Sequence, residues 1–466
     1  MEDIDLNKPV RLERSLYGMA FNRPSGIVFI PEELVAHSLI NKAQYIRRDK
    51  IVEYIKKQPT NIKEYKNHFN SDHSKTYRFS TKSFFIDGKD VVNLYRGHRF
   101  FEKVTRDELL AAAIKAGQYL TRSVDPAGKF VYIYRAKTDK VAKKYNIIRH
   151  AGIVYSMLQL YEVTGDIALL KAAKRAIKYL LEAVYPCPTE NGPAACVVEE
   201  GYAKLGGNAL SAVALAKYME ITKDYQYMSI LLELGRWIQS IQGENGAFAV
   251  HKQSYPGGEV VDFVSVYYPG EALLAVIRIH ALDPEGPWLD IAEAAAHYLI
   301  KVRDGNLKDN ELPHDHWLLY ALNELYRQRP DPLYLNQALR IARAILESQN
   351  CNPIYTDWRG SFYIPPRSTS TATRIEGLCS AYLLAQDFGY PEATKTILEG
   401  IWLGIRFQLQ TQFRPESVLY LNDPQRCLGG FHRSLTNFDI RIDYLQHNIS
   451  SLLGLYRILT NKEKNL

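Results

Sequence analysis

The sequence predicts an all-α protein, six helical hairpins closed into an (α/α)6 toroid, preceded by a small α+β extension. Three observations carry this. From residue 105 onward a unit of roughly 60 residues recurs six times, above the range of common solenoid repeats. In each unit an amphipathic helix with one apolar stripe precedes a helix that is apolar nearly all round. Between the helices several units carry a glycine shortly before an aromatic residue: GKF (128–130), GAF (246–248), GSF (360–362) and GGF (429–431).

Residues 1–100 read as the extension. GIVFI (26–30) and KSFFIDGKDVVNLYRGHRFF (82–101) mix β-branched and aromatic residues with turn signals such as Asp87-Gly88, which predicts short strands. The stretch 44–80 is polar and rich in Lys and Tyr, either helical or loose.

Residues 101–466 are the expected toroid domain. The outer helices fall at 105–124, 166–184, 225–242, 286–302, 332–349 and 392–410. The inner helices fall at 149–165, 206–224, 267–282, 314–328, 373–389 and 441–459. In the second outer helix, Leu169, Ala172, Ala173, Ile177 and Leu180 form one stripe, with Lys171, Lys174 and Lys178 opposite. The runs Ala209–Ala216 and Ala272–Ile277 have no polar face, as helices enclosed on all sides require. An open solenoid is the competing architecture. Six units with similar polar openings favour closure.

The chain has 466 residues, 46% hydrophobic and 23% charged, ordinary for a folded globular protein. Its formal charge of +7 is spread along the chain. Nucleic-acid binders concentrate Lys and Arg on one face, so no nucleic-acid partner is expected. Five cysteines without a CxxC exclude a disulfide framework. The opening MEDIDLNKPVRLERS lacks a signal peptide's apolar segment, and no apolar run reaches the roughly 18 residues needed to span a bilayer. A cytoplasmic protein without a membrane partner is expected.

Each inner helix opens with polar residues: Arg149 and His150; Lys204 and Asn208; Tyr267, Tyr268 and Glu271; His314, Asp315, His316 and Trp317; Thr373, Arg374 and Glu376; and Arg441, Asp443, Tyr444, Gln446, His447 and Asn448. In a hairpin ring the inner helices run the same way, so these openings and their positive dipole ends meet at one rim. Arg, His, carboxylates and Tyr facing one pocket suit a sugar or sugar acid. Asp and Asn near a helix start also serve as caps, so Asn208 and Asp315 read both ways. Arg149 can equally pair with a carboxylate of another hairpin. His150, His314, His316 and His447 are possible metal ligands; residues i and i+2 on a helix point apart, so neither a metal nor a cofactor is expected. The substrate-binding candidates are Arg149, His150, Asn208, Tyr268, Glu271, Trp317, Arg374, Arg441 and Tyr444.

At these residues the chain resembles the six-hairpin toroid enzymes of the N-acylglucosamine 2-epimerase family, and also the D-glucuronyl C5-epimerases and unsaturated glucuronyl hydrolases. The resemblance covers about 105–460 and is one of position. It matches Arg149 on the first inner helix, His316 on the fourth, Glu376 on the fifth and His447 on the sixth. Leu319 stands where the family has a Glu after its fourth-helix His, and the surroundings of His447, QHNISS, also differ. The resemblance implies a sugar or uronic-acid epimerase or isomerase, with a small molecule or oligosaccharide as substrate. His316 and His447, on opposite sides of the pocket, would be the acid–base pair, and Arg149 or Arg374 would stabilise the enediolate. Two further readings stay open. A glycoside hydrolase or lyase would use paired carboxylates among Asp315, Glu376 and Asp443. A non-catalytic ring would bind a glycan or peptide through its many Tyr and Arg.

Overall fold

The computed structural model describes the chain apart from residues 1, 7, 11, 13–15, 22–26, 42–43, 58–74, 191 and 465–466. Residues 58–74 of the stretch 44–80 therefore lie outside the described residues. The part that is described holds a helix at Arg48–Lys56 and a strand at Thr76–Ser80.

The expected outer helices are α1 (Arg106–Ser123), α3 (Ile167–Leu181), α5 (Met228–Ser240), α7 (Trp288–His297), α9 (Pro332–Glu347) and α11 (Pro391–Gln410). The expected inner helices are α2 (Ile147–Thr164), α4 (Leu205–Thr222), α6 (Tyr268–His280), α8 (His316–Gln328), α10 (Ser368–Asp387) and α12 (Ile442–Lys464). The stripe on α3 is buried as its spacing requires, while Lys171, Lys174 and Lys178 are exposed. On α4 every residue from Leu205 to Met219 is buried.

Each inner helix packs on the next, α2 on α4, α4 on α6, α6 on α8, α8 on α10 and α10 on α12, and α12 packs back on α2. Glycines permit the close approach. A Cβ on Gly152 of α2 would collide with Gln446 of α12, and one on Gly454 of α12 would collide with Cys379 of α10.

The sequence units pair an outer helix with the inner helix that follows it. The tighter packing runs the other way. The pairs α2–α3, α4–α5, α6–α7, α8–α9 and α10–α11 are joined by short connections, and short connections force antiparallel neighbours. That leaves α1 without a preceding partner, and it packs on α12.

The Gly-x-Phe turns explain how neighbouring pairs are joined. Gly429 has φ +83°, where only glycine is unstrained, and a Cβ there would land on the Lys115 carbonyl of α1. Gly128, Gly246 and Gly360 sit in the same way against α3, α7 and α11. The phenylalanine that follows is buried in each case. Three glutamines complete the joint. Gln412 Nε2 donates to Ala112 O at 2.8 Å and Gly429 O at 3.2 Å. Gln242 bridges Gly246 and Ile291, and Gln349 bridges Gly360 and Gly400.

The strands expected before residue 100 are present, at Ile27–Phe29, Ser83–Asp87, Asp90–Tyr95 and His98–Arg99. The body is not purely helical. Its long loops form two four-stranded sheets, and Asn437–Arg441 of the last loop pairs with Ile133–Arg135 of the first. Strands of two to five residues carry too few alternations to be read from a sequence. The buried apolar residues between Leu12 and Ile55 form a core of their own. A polar seam fastens this part to the body. Arg96 lies 3.4 Å from Asp357 with both side chains buried, His98 bonds Gln410 at 3.1 Å, and Arg99 bonds Glu416 at 2.9 Å. Among the described residues no helix is long and apolar enough to cross a membrane.

Replacing Gln412 with Ala removes two buried hydrogen bonds and should destabilise the protein by about 1–3 kcal/mol. Gly429→Ala should cost more, because left-handed strain adds to the overlap with α1. Denaturant midpoints check both.

Candidate functional site

A cavity of about 520 Å³ opens where the inner helices begin, within the usual range for small-molecule sites. Its lining comes from the starts of α2 (Asn146, Arg149), α6 (Tyr268, Glu271), α8 (His316, Trp317) and α12 (Arg441, Asp443, Tyr444, His447), and from α10 through Arg374. The second inner helix contributes only Leu210.

At one side of the cavity, His447 Nδ1 lies 2.8 Å from Glu376 Oε2. Glu376 is fully buried and its Oε1 has no hydrogen-bond partner. Burial raises its pKa, and the adjacent His447 partly offsets this. With Glu376 ionised, the carboxylate accepts from Nδ1–H and leaves the Nε2 lone pair free, the tautomer a general base needs. Beside it stands His316, 4% exposed, with neither ring nitrogen hydrogen-bonded. Burial, then the nearby His447 and Arg374, hold its pKa well below the usual imidazole value, so it is neutral at working pH. Trp317 packs against it at 4.8 Å between ring centroids.

The expectation that His316 and His447 flank the pocket is corrected. Their ring centroids are 5.0 Å apart at an interplanar angle of 84°, too close for a sugar to pass between them. Both reach the cavity from the same side.

His316, Glu376 and His447 each offer a ligand atom, all within 4.8 Å of one another. Two imidazoles and a carboxylate form a donor set able to hold a divalent cation. Here His447 Nδ1 and Glu376 are already engaged with each other. Of the four histidines named as possible ligands, His316 and His447 meet at this point. His314 Nδ1 instead accepts from Arg374 Nε at 2.9 Å.

Asp443 is held by two guanidiniums. It accepts from Arg149 Nε at 3.1 Å and from Arg441 at 2.5 and 2.8 Å. The carboxylate thereby ties the two arginines to each other. Arg149 also donates to Tyr132 at 2.7 Å, and the Arg441 guanidinium lies 4.6 Å from the Tyr444 ring centroid. Arg374 donates to Ser370 O and to the Tyr363 hydroxyl, both at 2.9 Å. Glu271 differs from Asp443. It is 5% exposed, its Oε2 has no partner, and burial followed by the nearby Asp315 raises its pKa well above the carboxylate range.

Besides Glu376, which stands behind His447, three candidates do not line the cavity. Asp315 caps α8, accepting from the amides of Trp317 at 3.0 Å and Leu318 at 3.1 Å. His150 is fully buried between the Tyr145 hydroxyl at 2.7 Å and the Ala176 carbonyl at 2.8 Å, and so ties α2 to α3. Asn208 accepts from Val197 N at 2.8 Å and donates to Lys204 O at 2.9 Å. Each satisfies backbone or neighbouring groups that burial would otherwise leave unpaired.

Other lining residues were not among the candidates: Tyr363, Arg367, Thr369, Ser370 and Arg433. Four of them precede or open α10, which starts at Ser368, five residues before its expected start. The signal was present in Pro365-Pro366-Arg367-Ser368, a proline pair running into a helix-initiating residue.

No model of a known protein family matches the sequence, and no curated protein matches it. The structure is similar to solved carbohydrate-active enzymes. D-mannose isomerase aligns with a TM-score of 0.53 and 14% identity, over 76% of this chain and 98% of that one. Cellobiose 2-epimerase from Bacillus thermoamylovorans B4167 aligns at 0.55 and 12%, over 76% and 99%. The GH76A α-1,6-mannanase of Salegentibacter sp. HEL1_6 aligns at 0.53 and 11%, over 74% and 98%. At these identities the likeness is one of fold.

Burial holds His98 down to about 3, and His150 and His432 down to about 4, while His316 is held well below its usual value. All four are neutral when folded and protonate freely once unfolded. Above pH 6.5 they leave stability unaffected. As pH falls from 6.5 towards 4 the unfolded chain takes up protons that the folded chain refuses, and stability is lost. The thermal midpoint should fall across that window, and His150→Phe should lessen its slope.

Proposed function

We propose that this protein is a sugar epimerase or isomerase that moves a proton next to a carbonyl. The observation that carries the reading is the buried Glu376–His447 pair beside an unpartnered, neutral His316 in an arginine-lined cavity. In keeping with this, the circuit of inner-helix contacts is read as a closed (α/α)6 toroid over residues 101–466, with residues 1–100 as an appended unit. D-mannose isomerase and cellobiose 2-epimerase share the fold.

In this reading His447 Nε2 takes the proton from the carbon beside the carbonyl of an open-chain sugar. The electron pair moves to the carbonyl oxygen, giving an enediolate. His316 donates its one N–H to the developing oxyanion, and Arg149, Arg374 and Arg441 lower its energy. Two imidazoles on one side favour return of the proton to the neighbouring carbon on the same face, with the hydroxyl proton passing from O2 to O1, which is aldose–ketose isomerisation. Epimerisation would require the enediolate to turn before it is reprotonated.

One observation favours a second reading. Glu271 is a buried carboxyl held protonated, the state a glycosidase acid needs. Against it, the other carboxylate at the cavity, Asp443, is neutralised by Arg149 and Arg441. A mannanase shares the fold, so both chemistries are worth assaying.

In D2O, the wild-type protein should incorporate deuterium at C1 or C2 of its sugar. His447→Asn and Glu376→Gln should each slow exchange by roughly 10²–10⁴-fold, with Glu271→Gln much milder. Release of reducing ends from oligosaccharides, lost in Glu271→Gln and kept in His447→Asn, would replace this reading with the hydrolase.

A further inference from the structure

Two of the cysteines meet in the loop between α3 and α4, on the side of an element that the cavity does not use. Val184–Pro186 and Ala195–Glu199 pair antiparallel, with Tyr185 opposite Cys196. Cys187 N donates to Ala194 O at 2.7 Å, which carries the ladder one residue further. Directly opposed residues share a face of such a ribbon, and so do residues two apart on one strand. Cys187 and Cys196 are therefore diagonal neighbours on one face, and their thiols are hydrogen-bonded to each other there.

The two thiols stand in different surroundings. Cys196 is fully buried, and the neighbouring Cys187, then burial, push its thiol up. Cys187 is half-buried. It lines an open hollow of about 500 Å³ together with Trp237, Gln242, Gln253 and Val260. Its sulfur faces donors: Gln253 Nε2 at 4.0 Å and the Trp237 indole of α5. Donors aimed at a sulfur stabilise the thiolate, the reactive form of cysteine. The hydrogen bond from Cys196, opposed by burial and aided by Trp237, holds Cys187 down to about 7. The other cysteines differ: Cys351 is exposed, and Cys379 and Cys427 are buried, with burial pushing both thiols up. Only the hairpin thus places a reachable sulfur against a second, sheltered one among the described residues. That asymmetry is what thiol–disulfide exchange uses, one thiol to attack and one to resolve.

We propose that Cys187 and Cys196 form a reversible dithiol–disulfide site that reacts with small-molecule disulfides entering the hollow. The Cys187 thiolate attacks one sulfur of the reagent. A bond forms between Cys187 Sγ and that sulfur, and the other half of the reagent leaves as a thiolate. Cys196 then gives its proton to solvent and its sulfur attacks Cys187 Sγ. This closes the protein disulfide and expels the second half, and solvent protonates both leaving thiolates. Two protein thiols are oxidised and one reagent disulfide is reduced to two thiols. The bond spans a single hairpin, so it is an exchangeable clasp and not a framework that the fold requires.

The full chain, equilibrated in buffers of rising glutathione disulfide to glutathione ratio, quenched in acid, alkylated and read by peptide mass, tests this. The peptides carrying Cys187 and Cys196 should become linked and lighter by two hydrogen atoms, and dithiothreitol should restore both thiols. Cys351 should appear as a mixed disulfide with glutathione. Cys196→Ser should halt the reaction with glutathione on Cys187, because the resolving sulfur is gone. Cys187→Ser should slow modification of Cys196 roughly tenfold or more, since the remaining sulfur is buried. Thermal midpoints confirm that both variants are folded, and the linked peptide of the wild-type chain is read without either of them. Glutathione retained on Cys187 of the wild-type chain with no linked peptide would overturn the proposal. So would modification of Cys196 at the same rate with Cys187 present or replaced. Neither readout depends on the sugar reaction.

Discussion

Everything at the site depends on six inner helices lying side by side and running the same way. Glycines at the contacts allow it: Gly152 faces α12, and Gly454 faces α10. A side chain at position 454 would meet Cys379 Sγ and Cβ and push α12 away from α10. The same arrangement sets the electrostatics. Five helix starts line one space, and the amide ends there favour negative charge. The arginines lining that space add to the effect.

The outer layer serves this arrangement by fixing the spacing of the helix pairs. The Gly-x-Phe turns and the glutamines beside them link each turn to the backbone of the next outer helix. The last of these links, Gly429 and Gln412 against α1, joins the turn after the last outer helix to the first. Pairing of the last loop with the first, Asn437–Arg441 with Ile133–Arg135, does the same at the rim. Local turn geometry thereby becomes a long-range constraint.

Twelve helices were legible because each is long and has a clear apolar pattern: one stripe for α3, no polar face for α4. The start of α10 was misjudged because Ser368–Ser370 belong to a polar run whose helical state depends on contacts with α12, such as Asn448 donating to Ser368 Oγ. The sheets of the body were missed because their strands are too short to alternate. At the site, residue type and position at a helix start identified His316, Glu376, His447, Arg149, Arg374 and Arg441. They could not distinguish Asp315, whose carboxylate caps α8, from Glu271, whose carboxyl is unpartnered. Nor could they separate His150, held by Tyr145 and Ala176, from His447. Those distinctions are made by partners distant in sequence. Arg433 carried no pattern at all, since it sits in a strand of only three residues, His432–Ser434, in the last connection.

The central claim is that Glu376 orients His447 as a base towards a sugar carbon, with His316 beside it. A crystal structure of the protein with an open-chain sugar alcohol, such as mannitol or sorbitol, tests it most directly. The account predicts C1 and C2 of the ligand about 3–3.5 Å from His447 Nε2, the reach of a near-attack geometry, with a ligand oxygen on His316. A sugar that instead sits over Glu271 and Asp443, with His447 turned away and still bound only to Glu376, would contradict it.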